Sequence, residues 1–118
     1  HVYSLDRNKP ELTHSNVTFL KQNLNNTEEL NKNTSWDQLK GKKILIEDAH
    51  VNLLNILNFF DKYINKNDYL IIEDSISKDE QIKNFLYNKD EKFKSDQFYL
   101  DFFGTNITCC VDSIFKCF

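Results

Sequence analysis

The chain has 118 residues, a sequence pI of about 5.6 and a formal charge of -3, with 40% hydrophobic and 28% charged residues. That length supports one modest soluble domain around one core. A nucleic-acid partner is not expected, because no basic face is evident, and no apolar run approaches the roughly 20 residues that cross a bilayer.

In chain order the pattern alternates strand and helix. Val2-Tyr3-Ser4-Leu5 reads as a strand. It stops before Pro10, which cannot donate to a ladder. The chain opens at His1, in mid-strand and without a charged-then-apolar leader. The expectation is therefore a longer parent chain and no signal peptide. Val17-Thr18-Phe19-Leu20 is a second β-branched and aromatic run. Asn23 to Lys32 is polar, a loop or a short frayed helix. Ser35-Trp36-Asp37-Gln38 has the form of a capping box opening one helical turn that closes near Gly41.

Ile44-Leu45-Ile46 is short and continuously apolar, which predicts a strand covered on both faces. Leu53, Ile56, Leu57, Phe60 and Ile64 recur at helical spacing. Tyr69-Leu70-Ile71-Ile72 is another strand of buried type, ending in Glu73-Asp74. Two such strands joined by a helix form a parallel, right-handed βαβ unit. Ser77-Lys78-Asp79-Glu80 is a second capping box, and its helix turns Ile82, Phe85 and Leu86 inward. A charged loop from Asn88 to Lys94 and a short helix from Phe98 to Gly104 follow. Ile107 to Val111 and Ile114 to Phe118 then form a hairpin about Asp112-Ser113.

The three cysteines, Cys109, Cys110 and Cys117, are odd in number and lack a C-x-x-C spacing. They fit neither a disulfide framework nor a zinc site, and reduced thiols in a cytoplasmic setting are expected. The sequons at Asn16, Asn25, Asn33 and Asn106 carry little weight in a chain so rich in Asn.

The informative coincidence is acidic residues after three strands: Asp6, Glu47-Asp48 and Glu73-Asp74. In open α/β sheets, ligands bind outside the carboxyl ends of the strands. Parallel strands bring Asp48, Glu73 and Asp74 to one rim, where hard oxygen ligands suit Mg²⁺. His50, two residues past Asp48, has the chemistry of a general base or of a group orienting a hydroxyl. A plainer alternative stays open. Acids end strands because loops are solvated, and a lone His often caps or decorates a surface.

The stretch Ile44 to His50, the helix after it, and Asp68-Tyr-Leu-Ile-Ile-Glu-Asp74 resemble paired segments of the cephalosporin hydroxylase and rhamnosyl O-methyltransferase family. Tyr99 to Thr108, running into Ser113 to Lys116, resembles that family's closing segment. The likeness covers residues 43–118; residues 1–22 are similar only in layout. It implies an α/β, Rossmann-like three-layer sandwich, with a mostly parallel sheet of order 3-2-1-4-5-7-6 and an antiparallel C-terminal hairpin. The chain supplies strands 2 to 7 of it, as a single partial domain over residues 1–118, without the first strand and its Gly-rich loop. The resemblance further implies S-adenosylmethionine and Mg²⁺ as cofactors. Asp48, Glu73 and Asp74 would be the metal ligands, His50 would lie beside the reacting hydroxyl, and Asp6 would hold the donor's ribose. The implied activity is O-methyl transfer to a small-molecule or sugar hydroxyl. The alternative is a non-catalytic Rossmann-like module in an assembly. A homo-oligomer or a partner chain completing the sheet is also expected.

Overall fold

The computed structural model describes the chain except residues 9, 12, 88, 90 and 99–112. The chain is mixed α/β and divides into two compact units, His1–Leu39 and Lys40–Phe118.

In the first unit, β1 (Val2–Asp6) pairs in parallel with β2 (Val17–Lys21), in a register that sets Asp6 beside Lys21. Both strands are where their β-branched and aromatic residues predict them. A 3-10 turn at Thr27–Glu29 leads into the single turn α1 (Leu30–Asn33), and a second 3-10 turn follows at Trp36–Gln38. Leu30 and Trp36 are buried, and the indole N–H donates to the Leu30 carbonyl at 2.7 Å. The Tyr3 ring meets Trp36 edge-on at 6.0 Å. Ser35 makes no side-chain capping bond. The Gln38 amide, which a capping box needs to reach back, donates instead to Asp37 Oδ2 at 3.0 Å.

In the second unit, four strands lie in the order β3 (Ile44–Glu47), β4 (Tyr69–Ile72), β6 (Ser113–Cys117) and β5 (Phe93–Ser95). β3 and β4 are parallel, and α2 (Leu53–Asp61) connects them, as the βαβ reading requires. β6 runs antiparallel to both β4 and β5. The parallel pair and the antiparallel C-terminal strand are as expected, while the strand expected next to that C-terminal strand is a different segment. The edge place beside β6 is held by residues 93–95, inside the segment expected as a charged loop. Only Phe93 is apolar and buried there, and its partner Cys117 defines the strand. The expected strand over Ile107–Val111 and most of the expected helix from Phe98 to Gly104 lie outside the described residues, as do Cys109 and Cys110.

The core of this unit is one cluster. Leu53, Leu57 and Ile64 from α2 and its exit, and Ile82 and Phe85 from α3 (Ser75–Leu86), pack with Leu70, Ile72, Phe93, Phe115 and Cys117. Side chains alternate across a strand, so Leu70, Ile72, Phe115 and Cys117 share one face of the sheet. Both helices pack with that face. The other face of β3 is therefore open: Ile44 and Ile46 are 64% and 57% exposed, which corrects the expectation that β3 is covered on both sides.

Two buried or half-buried aspartates tie the sheet's framework. Asp68 accepts the backbone N–H groups of Asn65 and Lys43, at 2.8 and 3.0 Å, and pairs with the Lys43 ammonium at 3.0 Å. It thereby fixes the entry of β4 against the entry of β3. Asp61, at the end of α2, pairs with Lys92 at 2.6 Å and Lys89 at 3.1 Å, while Lys92 Nζ also donates to the Asp61 carbonyl. A cation there complements the carboxyl end of the helix dipole. Burial raises the Asp61 carboxyl, but the Lys92 and Lys89 ammonium groups outweigh it and hold it below its ordinary value of 3.8. Burial likewise raises Asp68, and the Asn65 and Lys43 donors overturn that and hold it below 3.8.

A depressed carboxylate stabilises the fold above its unfolded pKa and stops doing so as pH falls through the folded one. Urea unfolding at stepped pH should therefore show stability declining as pH drops below about 4. The variant Asp61→Asn/Asp68→Asn should start lower at neutral pH and lose less on acidification.

Candidate cation site at the carboxyl ends of two parallel strands

The β3–β4 register sets Glu47 beside Ile72, and the Glu73 N–H donates to the Glu47 carbonyl at 3.0 Å. The residues that follow both strands therefore emerge at one rim. Beyond β3 the backbone turns sharply. Glu47 Oε1 accepts the Ala49 N–H at 2.9 Å, and His50 and Asn52 adopt left-handed backbone with φ of 54° and 52°. Beyond β4, Asp74 has φ 52° and leads directly into α3. Non-glycine residues enter this region at a cost of about 1–2 kcal/mol, with Asn, Asp and His among the better tolerated.

These turns bring three side chains together. His50 Nε2 lies 3.2 Å from Asp48 Oδ1 and 3.1 Å from Asp74 Oδ2. One ligand atom from each of the three residues falls within 4.8 Å of the other two. The Asp48, His50 and Asp74 side chains are 62%, 50% and 33% exposed, so the group faces solvent. Two carboxylates and an imidazole fit a divalent cation by donor chemistry. Hard carboxylate oxygens suit Mg²⁺, and the nitrogen widens the choice toward Mn²⁺ and Fe²⁺.

His50 also belongs to a cleft of about 260 Å³ between the starts of α2 and α3. Val51, Asn52, Leu53, Ser77, Lys78 and Gln81 complete its lining. The Ser77 hydroxyl donates to the Asp74 carbonyl at 2.9 Å. The expected capping box at Ser77 is thus not the helix start; α3 begins at Ser75, with Asp74 in the capping position.

Of the residues singled out in the sequence, Asp48, His50 and Asp74 converge. Glu73 is half-buried between Ile72 and Asp74 and stands outside the converging group. Asp6 ends β1 in the first unit, where its Oδ1 accepts the Asn8 N–H at 2.8 Å. Glu47 points inward, buried, and pairs with Lys78 at 2.7 Å. The register therefore leaves Asp48 at the rim and puts Glu47 beneath it.

Lys78 is the residue that sequence reasoning missed. Its signal was present: positions 78, 82 and 85 share one helical stripe, and Ile82 and Phe85 are core. A lysine on an apolar stripe calls for a buried anion, and Glu47 is in alternation with the half-buried Leu45.

The fold so placed is that of two solved structures. CmcI in an apo form matches with a TM-score of 0.73 at 20% identity over 98% of this chain. CmcI with Mg and SAM matches with a TM-score of 0.73 at 19% identity over 99%. The chain spans about half the length of these proteins, 52% in each case. At such identity the likeness carries the fold, and the fold agrees with the family resemblance seen in residues 43–118. No family model matches the chain, and no curated protein matches it in sequence.

Two outcomes follow. Lys78→Met leaves the Glu47 charge buried without its partner, so chemical denaturation should show a loss of about 3–5 kcal/mol. His50→Gly removes the left-handed penalty at an exposed position and should raise stability by about 1 kcal/mol in the same assay, at the expense of the imidazole.

Proposed function

We propose that this chain is the C-terminal part of a Mg²⁺-assisted, S-adenosylmethionine-dependent O-methyltransferase acting on a small-molecule or sugar hydroxyl. The observation that carries this reading is the convergence of Asp48, His50 and Asp74 within 4.8 Å at the carboxyl ends of two parallel strands. The likeness of the fold to CmcI with Mg and SAM supports it.

In this reading Asp48 and Asp74 hold the cation, with Glu73 beside them as an outer acid. A bound divalent cation supplies positive charge that lowers the pKa of a coordinated hydroxyl. His50 Nε2, within 3.2 Å of both carboxylates, orients that hydroxyl and receives its proton. The adjoining cleft offers the side chains of Asn52, Ser77 and Gln81 to an acceptor with several hydroxyl groups. These are neutral hydrogen-bonding groups, which match a polyol or sugar by positioning rather than by charge. Asp6, a carboxylate ending a parallel strand, is the candidate to accept from the ribose hydroxyls of the donor.

Isothermal titration with Mg²⁺ tests the site. The native chain should bind one cation, and Asp48→Ala or Asp74→Ala should weaken binding beyond detection. In a longer chain that includes a donor site, Asp48→Ala should abolish Mg²⁺-dependent methyl transfer. Equal Mg²⁺ titrations in native and Asp48→Ala chains would remove the metal site and favour a non-catalytic module.

A further inference from the structure

We infer that Glu47 and Lys78 are positioning residues for the cation site, their buried ion pair setting the separation between the segment that carries Asp48 and His50 and the helix start that carries Asp74. This inference rests on reading those three residues as a cation site. Glu47 is the hub. Its Oε1 accepts the Ala49 N–H at 2.9 Å, its Oε2 accepts from Lys78 Nζ at 2.7 Å, and its carbonyl accepts the Glu73 N–H at 3.0 Å. The first bond shapes the turn between Asp48 and His50. The second reaches the first turn of α3, four residues beyond Asp74. The third holds the strand that leads to Asp74. Each of the three converging side chains is thus one or two residues from a group bonded to Glu47, or on the helix tied to it.

Burial explains why a charged pair is informative here. The Glu47 and Lys78 side chains are only 2% and 5% exposed. A pair so placed gives little stability over apolar residues of the same volume. Apolar residues would fill the space, but they cannot accept from Ala49 or fix the direction of α3 relative to the turn. The ammonium also balances the Glu47 charge beneath Asp48 and Asp74, so the rim does not sit over a third uncompensated carboxylate.

The variant Glu47→Gln/Lys78→Met separates positioning from bulk stability. The amide oxygen still accepts from Ala49, no lone charge is buried, and the methionine fills the stem's volume. Mn²⁺ binding is read by electron paramagnetic resonance on the 118-residue chain, at a temperature where native and variant proteins are both fully folded by circular dichroism. The expected result is a Mn²⁺ affinity weakened by about tenfold or more, the usual range for a lost supporting shell. Lys78→Arg, which keeps charge and donors, should stay within about threefold of native. A folded double variant that binds Mn²⁺ within about twofold of native overturns the inference. Should the double variant not fold, hydrogen exchange in the native chain decides. An Ala49 amide protected like those of the sheet supports the hub, and one exchanging like a free loop overturns it. A native chain that binds Mn²⁺ no better than Asp48→Ala/Asp74→Ala overturns the cation reading itself, and the inference falls with it.

Discussion

The parallel pairing of β3 with β4 is the constraint on which the site depends. Two strands that run the same way end on the same side of the sheet, and their register decides which residues emerge together. Here Glu47 stands beside Ile72, so Asp48 and Glu73 are the first residues past the ladder. A slip of one residue would exchange the faces of the whole strand. Glu47 would then face outward and Asp48 would be buried under α3. The Asp68 carboxylate guards against that slip from the other end, where it bonds Lys43 and Asn65 before either strand begins. One aspartate at the entry and one glutamate at the exit therefore bracket a ladder of only four residue pairs.

The site also uses backbone that the sequence must tolerate rather than favour. His50 and Asp74, two of the converging residues, and the nearby Asn52 take left-handed conformations. Such conformations persist where surrounding contacts over-determine them, and they gather at binding sites. The turn after β3 is held by Glu47 through Ala49, and the start of α3 by the Lys78 anchor. Exposed carboxylates and an imidazole lie above, and a buried ion pair lies below, at a rim that is open to solvent. Preorganisation of this kind is what a cation site needs if its ligands are to be few.

The sequence told the fold better than the edges of the fold. Strong periodicity placed α2 and the apolar strands β3 and β4, because burial of Leu53, Leu57, Leu70 and Ile72 dominates local choice. It failed for β5, where three residues with one phenylalanine become a strand only through pairing with β6. It also set the start of α3 too late, because Ser77 looked like a cap while the helix begins at Ser75, directly after Asp74 in left-handed backbone and without a side-chain capping bond. For the site, Asp48, Glu73 and Asp74 stood out as acids following strands, and His50 by its place two residues past Asp48. That Glu73 stands apart from the other three, and that Lys78 lies buried against Glu47, was not legible. Their positions depend on how the exit turns curl, and that follows from tertiary bonds to Glu47 rather than from spacing along the chain.

The central claim is that the Asp48 and Asp74 carboxylates share one cation, with His50 beside it. Crystals grown in MnCl₂, with data collected near the manganese absorption edge, test it most directly. The account predicts an anomalous peak within about 2.0–2.6 Å of carboxylate oxygens from both Asp48 and Asp74. A map with manganese bound elsewhere and none between those two carboxylates would contradict it.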